Sequence, residues 1–182
     1  MLFRSLVLKE IIRKHEKRFS NLTVKESDQN QGIAVAMISA IDWFFANTNQ
    51  GIIFEDDILF SPDSLVYFEE ALNRILKRPE VLLVSGFQPF ALSSREVKVS
   101  FTNYPQIWGW ASTASKWASM RSLIFSLPKI SKRRSKNVIN FWRVGWYRVK
   151  LGYLDTWDLP IATGMLFQNK VCMLPPVNLV SK

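Results

Sequence analysis

The stretch Gly51-Ile52-Ile53-Phe54-Glu55-Asp56-Asp57 decides how this chain is read, because a short apolar run passes without interruption into three carboxylates. A continuous apolar run of this kind is the pattern of a strand buried on both faces, as in a parallel sheet. Its acidic end then falls where open α/β sheets bind ligands, in the crevice beyond the carboxyl ends of their strands.

Downstream, Ser61-Pro62-Asp63 supplies an N-cap serine and a proline at the first helical position, which predicts a helix through Lys77 that Pro79 closes. Val81-Leu82-Leu83-Val84-Ser85-Gly86 reads as a second buried strand. Upstream, residues to about Phe19 place Leu2, Phe3, Leu6, Ile11 and Ile12 on one helical stripe, with Arg13, Lys14, Lys17 and Arg18 outside it. Leu22-Thr23-Val24-Lys25 reads as a short strand, and a polar loop through Gly32 leads into a helix from Ile33 to Ala46. After Gly86 the alternation weakens. It leaves an aromatic segment from Tyr104 to Trp110, helices over Ala114 to Phe125 and about Asn137 to Lys150, a helix opening at Asp155-Thr156-Trp157-Asp158, and a strand at Val171 to Pro176. Alternating helices and strands predict one α/β domain over residues 1–182, with a mainly parallel sheet flanked by helices.

A length of 182 residues is enough to bury a sizeable core, and the balance of apolar and charged residues excludes a disordered or fibrous chain. The single cysteine, Cys172, excludes a disulfide scaffold. The start has no signal-peptide cleavage pattern and no window is apolar enough to span a bilayer, so a cytoplasmic protein, at most peripheral to an inner membrane, is expected. The net charge of +9, concentrated in Lys129-Ile130-Ser131-Lys132-Arg133-Arg134-Ser135-Lys136 and beyond, calls for an anionic partner. Nucleic acid, an anionic membrane surface and a diphosphate-bearing donor all meet that description. No nucleic-acid recognition motif is present, so nucleic acid is not the expected partner.

Chemistry discriminates among the rest. Magnesium and manganese take one or two carboxylates with substrate phosphates completing their shell, which suits Glu55, Asp56 and Asp57. The competing reading is that one carboxylate caps the following turn and the others are solvated. Trp108-Gly109-Trp110 reads either as a floor for a sugar ring, with Gly109 allowing close backbone approach, or as core. Phe141, Trp142, Trp146 and Tyr147, at helical spacing, read as core.

The acidic turn, Glu55 to Asp63, following Gly51 to Phe54, resembles the metal-binding DXD turn of GT-A glycosyltransferases. Asn30-Gln31-Gly32, Ile41-Asp42-Trp43-Phe44-Phe45, Tyr104 to Trp110, Asp155 to Asp158 and Pro176-Val177-Asn178-Leu179-Val180-Ser181 extend the resemblance to bacterial family 2-like enzymes. The plan is more remotely similar to the Golgi N-acetylglucosaminyltransferase I group, which pairs an acidic turn with a Gly-Trp element and a later Trp-Asp. The resemblance implies a GT-A-like sheet, Mn²⁺ or Mg²⁺ held by Asp57, donor contacts from Asp56 and Glu55, and a nucleotide-sugar donor with a glycan or lipid-linked acceptor. It further implies an inverting transfer in glycan or surface-polysaccharide synthesis, with Asp158 as the base, Asp155 in reserve and Trp157 stacking on the sugar. Against the family pattern the chain opens in what resembles the helix after the first nucleotide-binding strand, so N-terminal truncation is expected. A truncated remnant that binds carbohydrate without catalysis is the alternative.

Overall fold

The structure is a computed structural model that describes residues 2–89, 98–127, 129–130 and 134–181. Where the sequence led us to expect one domain, the chain divides into two compact units, Met1–Asn30 and Gln31–Lys182. The first unit is α1 (Leu2–His15), a 3₁₀ turn over Glu16–Arg18, and extended chain. Arg13, Lys14 and His15 lie in the last turn of α1, where the helix dipole favours positive charge. The strand expected at residues 22–25 does not form; Leu22 and Val24 stand exposed in chain that joins no ladder.

The second unit contains α2 (Ile33–Asn47), β1 (Gln50–Ile53), β2 (Leu59–Phe60), α3 (Pro62–Ile75), β3 (Val81–Ser85), β4 (Ser100–Thr102), β5 (Trp110–Thr113), α4 (Ala114–Phe125), α5 (Lys136–Lys150), α6 (Asp158–Phe167), β6 (Val171–Leu174) and β7 (Val180–Ser181). Five strands form one sheet in the order β1-β5-β3-β6-β4, and β2 pairs with β7 separately. The expected mainly parallel sheet is corrected here, because only β3 and β6 are parallel neighbours while β1–β5, β3–β5 and β4–β6 are antiparallel. The cause lies in residues 100–113, where two strands flank the aromatic segment and the second, β5, inserts antiparallel between β1 and β3. As a result β1 becomes an edge strand and is only half-buried.

The sheet has helices on both faces. Phe68, Ala71, Leu72 and Ile75 of α3 pack on Val81, Val84, Ala111 and Met173. On the other face, residues of α2, α4 and α6 pack around Leu82, Leu83, Trp110, Cys172 and Leu174. A register irregularity between Val81 and Leu83 lets Leu82 and Leu83 both serve that second cluster.

Polar contacts tie the helices down. Asp42 of α2 accepts from Trp117 Nε1 (2.7 Å) and from Arg121 Nε (2.9 Å), both on α4. Lys116 is buried, and its Nζ donates to the carbonyls of Arg78 (2.9 Å) and Val81 (2.6 Å) at the start of β3. That burial holds the ammonium below the usual lysine range. Among the described residues no helix is long and apolar enough to cross a membrane.

Helices α4 and α6 meet at a glycine. A Cβ added to Gly164 would lie 2.5 Å from Leu123 Cβ, so nothing larger fits without moving a backbone. Gly164→Ala should therefore destabilise the protein by roughly 1–3 kcal/mol despite the better helix propensity of alanine. Urea unfolding measures this directly, and an unchanged midpoint would contradict the close approach.

Candidate functional site

The strands β1, β3 and β6 run in one direction, so their carboxyl ends share one edge of the sheet with the amino end of the reversed strand β5. The acidic residues leave β1 at that edge. Ile53 is the last residue of β1 and pairs with Trp110. Phe54 then turns toward α3, its ring stacked on Phe60 at 4.5 Å and edge-on to Phe68 at 6.0 Å. Ile58 is buried, and its amide donates to the Glu55 carbonyl at 3.2 Å. An apolar clamp of Phe54, Ile58 and Phe60 thus pins both ends of the turn, leaving Glu55 half-buried and Asp56 and Asp57 exposed.

A line of backbone hydrogen bonds crosses the same edge. The Gly86 amide donates to Gly109 (2.7 Å), the Leu179 amide to Gly86 (3.0 Å) and the Ser61 amide to Leu179 (3.0 Å). Gly109 has a left-handed φ of 61°, and a Cβ there would meet the Phe54 ring at 2.8 Å. The space a side chain would need at Gly109 is taken by Phe54 and Val180. Asn178 fixes the neighbouring loop by accepting from the Gln88 amide (3.0 Å) and donating to the Val180 carbonyl (2.7 Å).

The aromatic candidates divide. Trp108 keeps 37% of its surface exposed and leans on Phe87 at 4.7 Å, so it has area to offer a ligand. Trp110 and Trp157 are 1% and 5% exposed and stack on each other at 6.0 Å. Both belong to the core between the sheet and the helices, which corrects their reading as sugar-stacking surfaces.

The two later carboxylates also divide. Asp155 accepts from the amides of Ile33 and Ala34, each at 2.8 Å, and so caps α2 from 122 residues away. These two bonds, first that from Ala34, hold its carboxyl below the ordinary range. Gly32 has φ 75°, and a Cβ there would lie 2.8 Å from Asp155 Oδ2, so the cap also requires the glycine. Asp155 is thereby a structural residue, which corrects its place as reserve base. Asp158 opens α6, is half-buried and accepts a hydrogen bond from Thr156 Oγ1. It is joined to the edge through its neighbour Trp157, which packs on Trp110 at the start of β5.

Among the described residues no group of three or more histidine, cysteine, aspartate or glutamate side chains is gathered as a metal cage. Magnesium and manganese do not require one, since one or two carboxylates suffice where phosphates supply other ligands. Asp56 and Asp57 fit that demand. Of the basic stretch, Ser131, Lys132 and Arg133 lie outside the described residues, and Arg134 donates to the Leu166 carbonyl and to Asn103 Oδ1, each at 3.2 Å. Compared with known proteins, the sequence matches no family model and no curated protein.

The role of Asp155 is testable by pH. Its folded pKa lies below the ordinary 3.8, so its stabilisation is fully present above that value and is lost as pH falls through the folded value. Asp155→Ala should lower the melting temperature at pH 7, and the gap to the unaltered protein should close in strong acid. A gap that stays constant down to the acid limit would show that the carboxylate is not the cap.

Proposed function

We propose that the chain is a glycosyltransferase that moves a sugar from a nucleoside-diphosphate donor to an acceptor hydroxyl, in glycan or surface-polysaccharide synthesis, in the cytoplasm. The observation that carries this reading is the Glu55-Asp56-Asp57 turn, which lies at the edge where the carboxyl ends of β1, β3 and β6 meet the Trp108-Gly109 segment. Carboxylates on a fixed turn suit a divalent cation and a diphosphate, and a half-exposed indole suits a sugar face.

In this reading Asp57, with Asp56, would hold Mn²⁺ or Mg²⁺, which would neutralise the charge of the departing diphosphate. Glu55 and Asp56 accept hydrogen bonds from ribose or sugar hydroxyls. Trp108 orients the ring. Asp158 takes the proton of the acceptor hydroxyl as that oxygen bonds to the anomeric carbon and the bond to the phosphate oxygen breaks. Attack from the face opposite the diphosphate inverts the anomeric centre. The hydrogen bond from Thr156 orients the Asp158 carboxylate for this role.

Carbohydrate binding without catalysis is the second reading, favoured by the half-exposed Trp108 indole together with the commitment of Asp155 to a cap. Calorimetry with UDP, GDP and their sugar conjugates, with and without Mn²⁺, separates the two. Transfer predicts nucleotide binding that needs the metal and weakens at least about 10- to 100-fold in Asp57→Ala. Sugar binding that ignores both nucleotide and metal would instead support the binding module.

A further inference from the structure

Helix α5 turns an apolar face to solvent. Phe141 is 71% exposed and Leu151, just past the helix end, is 68% exposed; Val144 and Tyr147 are exposed between them. The opposite face is committed to the protein, with Trp146 buried and donating through Nε1 to the Leu123 carbonyl at 3.3 Å. These aromatics were expected in the core, and the structure places Phe141 and Tyr147 outside it.

At 3.6 residues per turn, Phe141, Val144 and Leu151 fall along one stripe. Lys136, Arg143 and Lys150, spaced by seven, form a row along its flank, and Arg148 rises within it. The helix contains no aspartate or glutamate. Beside the stripe a cavity of about 460 Å³ opens between α5 and α6, with Phe141, Val144, Gly145, Leu154 and Leu159 in its wall and Arg148 at its lining.

We propose that this face of α5 seats on the surface of an anionic lipid bilayer. The helix is too short and too charged to span, so it lies in the interface with its aromatic and aliphatic side chains among the headgroups. Phe141 and Leu151 gain by leaving water, and Tyr147 has the amphipathic ring that suits a headgroup layer. The basic row meets the negative surface, and the apolar cavity beside it has room for part of an acyl chain. Nucleic acid would satisfy the charges and aromatic rings but would leave Val144, Leu151 and the cavity in water. This inference is independent of the transfer reaction.

Co-sedimentation of the full chain with vesicles of phosphatidylcholine, alone or with about a third phosphatidylglycerol, tests it. Binding should require the anionic lipid and weaken at high salt. Arg143→Gln with Lys150→Gln should lower the partition coefficient about 25-fold, each basic residue near such a surface contributing about fivefold. Phe141→Ser with Leu151→Ser should lower it about tenfold or more at low salt. Because all four side chains are exposed, the circular dichroism and melting temperature of both variants should match the unaltered protein. The proposal is overturned if anionic vesicles are not bound, or if both variants bind them as well as the unaltered chain. Binding of single-stranded RNA, without vesicle binding, that the charge substitutions remove would overturn it too. So would a dimer without vesicle binding that the apolar substitutions dissolve.

Discussion

All five residues of β3 are buried, and the second unit is arranged around that constraint. A strand with no face toward water needs apolar cover on both sides, and it receives α3 on one and α2, α4 and α6 on the other. Its backbone groups also need partners, which β5 and β6 supply from either side. Two polar side chains that reach this layer find backbone acceptors: Ser112 donates to the Leu82 carbonyl at 2.7 Å, and Lys116 donates to two carbonyls at the strand's entrance. Left without those acceptors, a buried ammonium would cost several kcal/mol.

The same arrangement produces the candidate site. β1 and β3 run in the same direction but are not neighbours, because β5 lies reversed between them. That reversal brings the start of β5, with Trp108 and Gly109 before it, to the edge where β1 delivers the carboxylates. Antiparallel insertion, which departs from a simple doubly wound sheet, is thus what sets the Trp108-Gly109 segment at the edge where the acidic turn leaves β1. Gly109, Phe54 and Val180 pack closely at that edge, leaving no room for a side chain at position 109.

Much of this was legible in the sequence because its signals are local. Pro62 after Ser61 marks the start of α3, and the run Val81 to Ser85 could hardly be other than a buried strand. The short strands β4 and β5 were hidden, since Trp110-Ala111-Ser112-Thr113 mixes polar and apolar residues that are all buried and so shows no alternation. Residues 22–25 had strand-like composition but found no neighbour to pair with. Asp155 precedes α6 in sequence, yet its hydrogen-bond partners are in α2, a contact that no local pattern announces. Trp157 gave no sign of its depth, because its burial depends on stacking with Trp110, distant in sequence.

The divalent-cation and diphosphate site proposed above is the turn at Glu55 to Asp57, at the sheet's ligand edge. Paramagnetic relaxation by Mn²⁺ in the presence of a nucleoside diphosphate, read on the amide and indole signals of the folded chain, tests it most directly. The account predicts that the amides of residues 55–57 broaden first and the Trp108 indole next, while the amides of Lys116 and Lys170, at the opposite edge, stay sharp. Broadening centred elsewhere, or none with the nucleotide present, would contradict it.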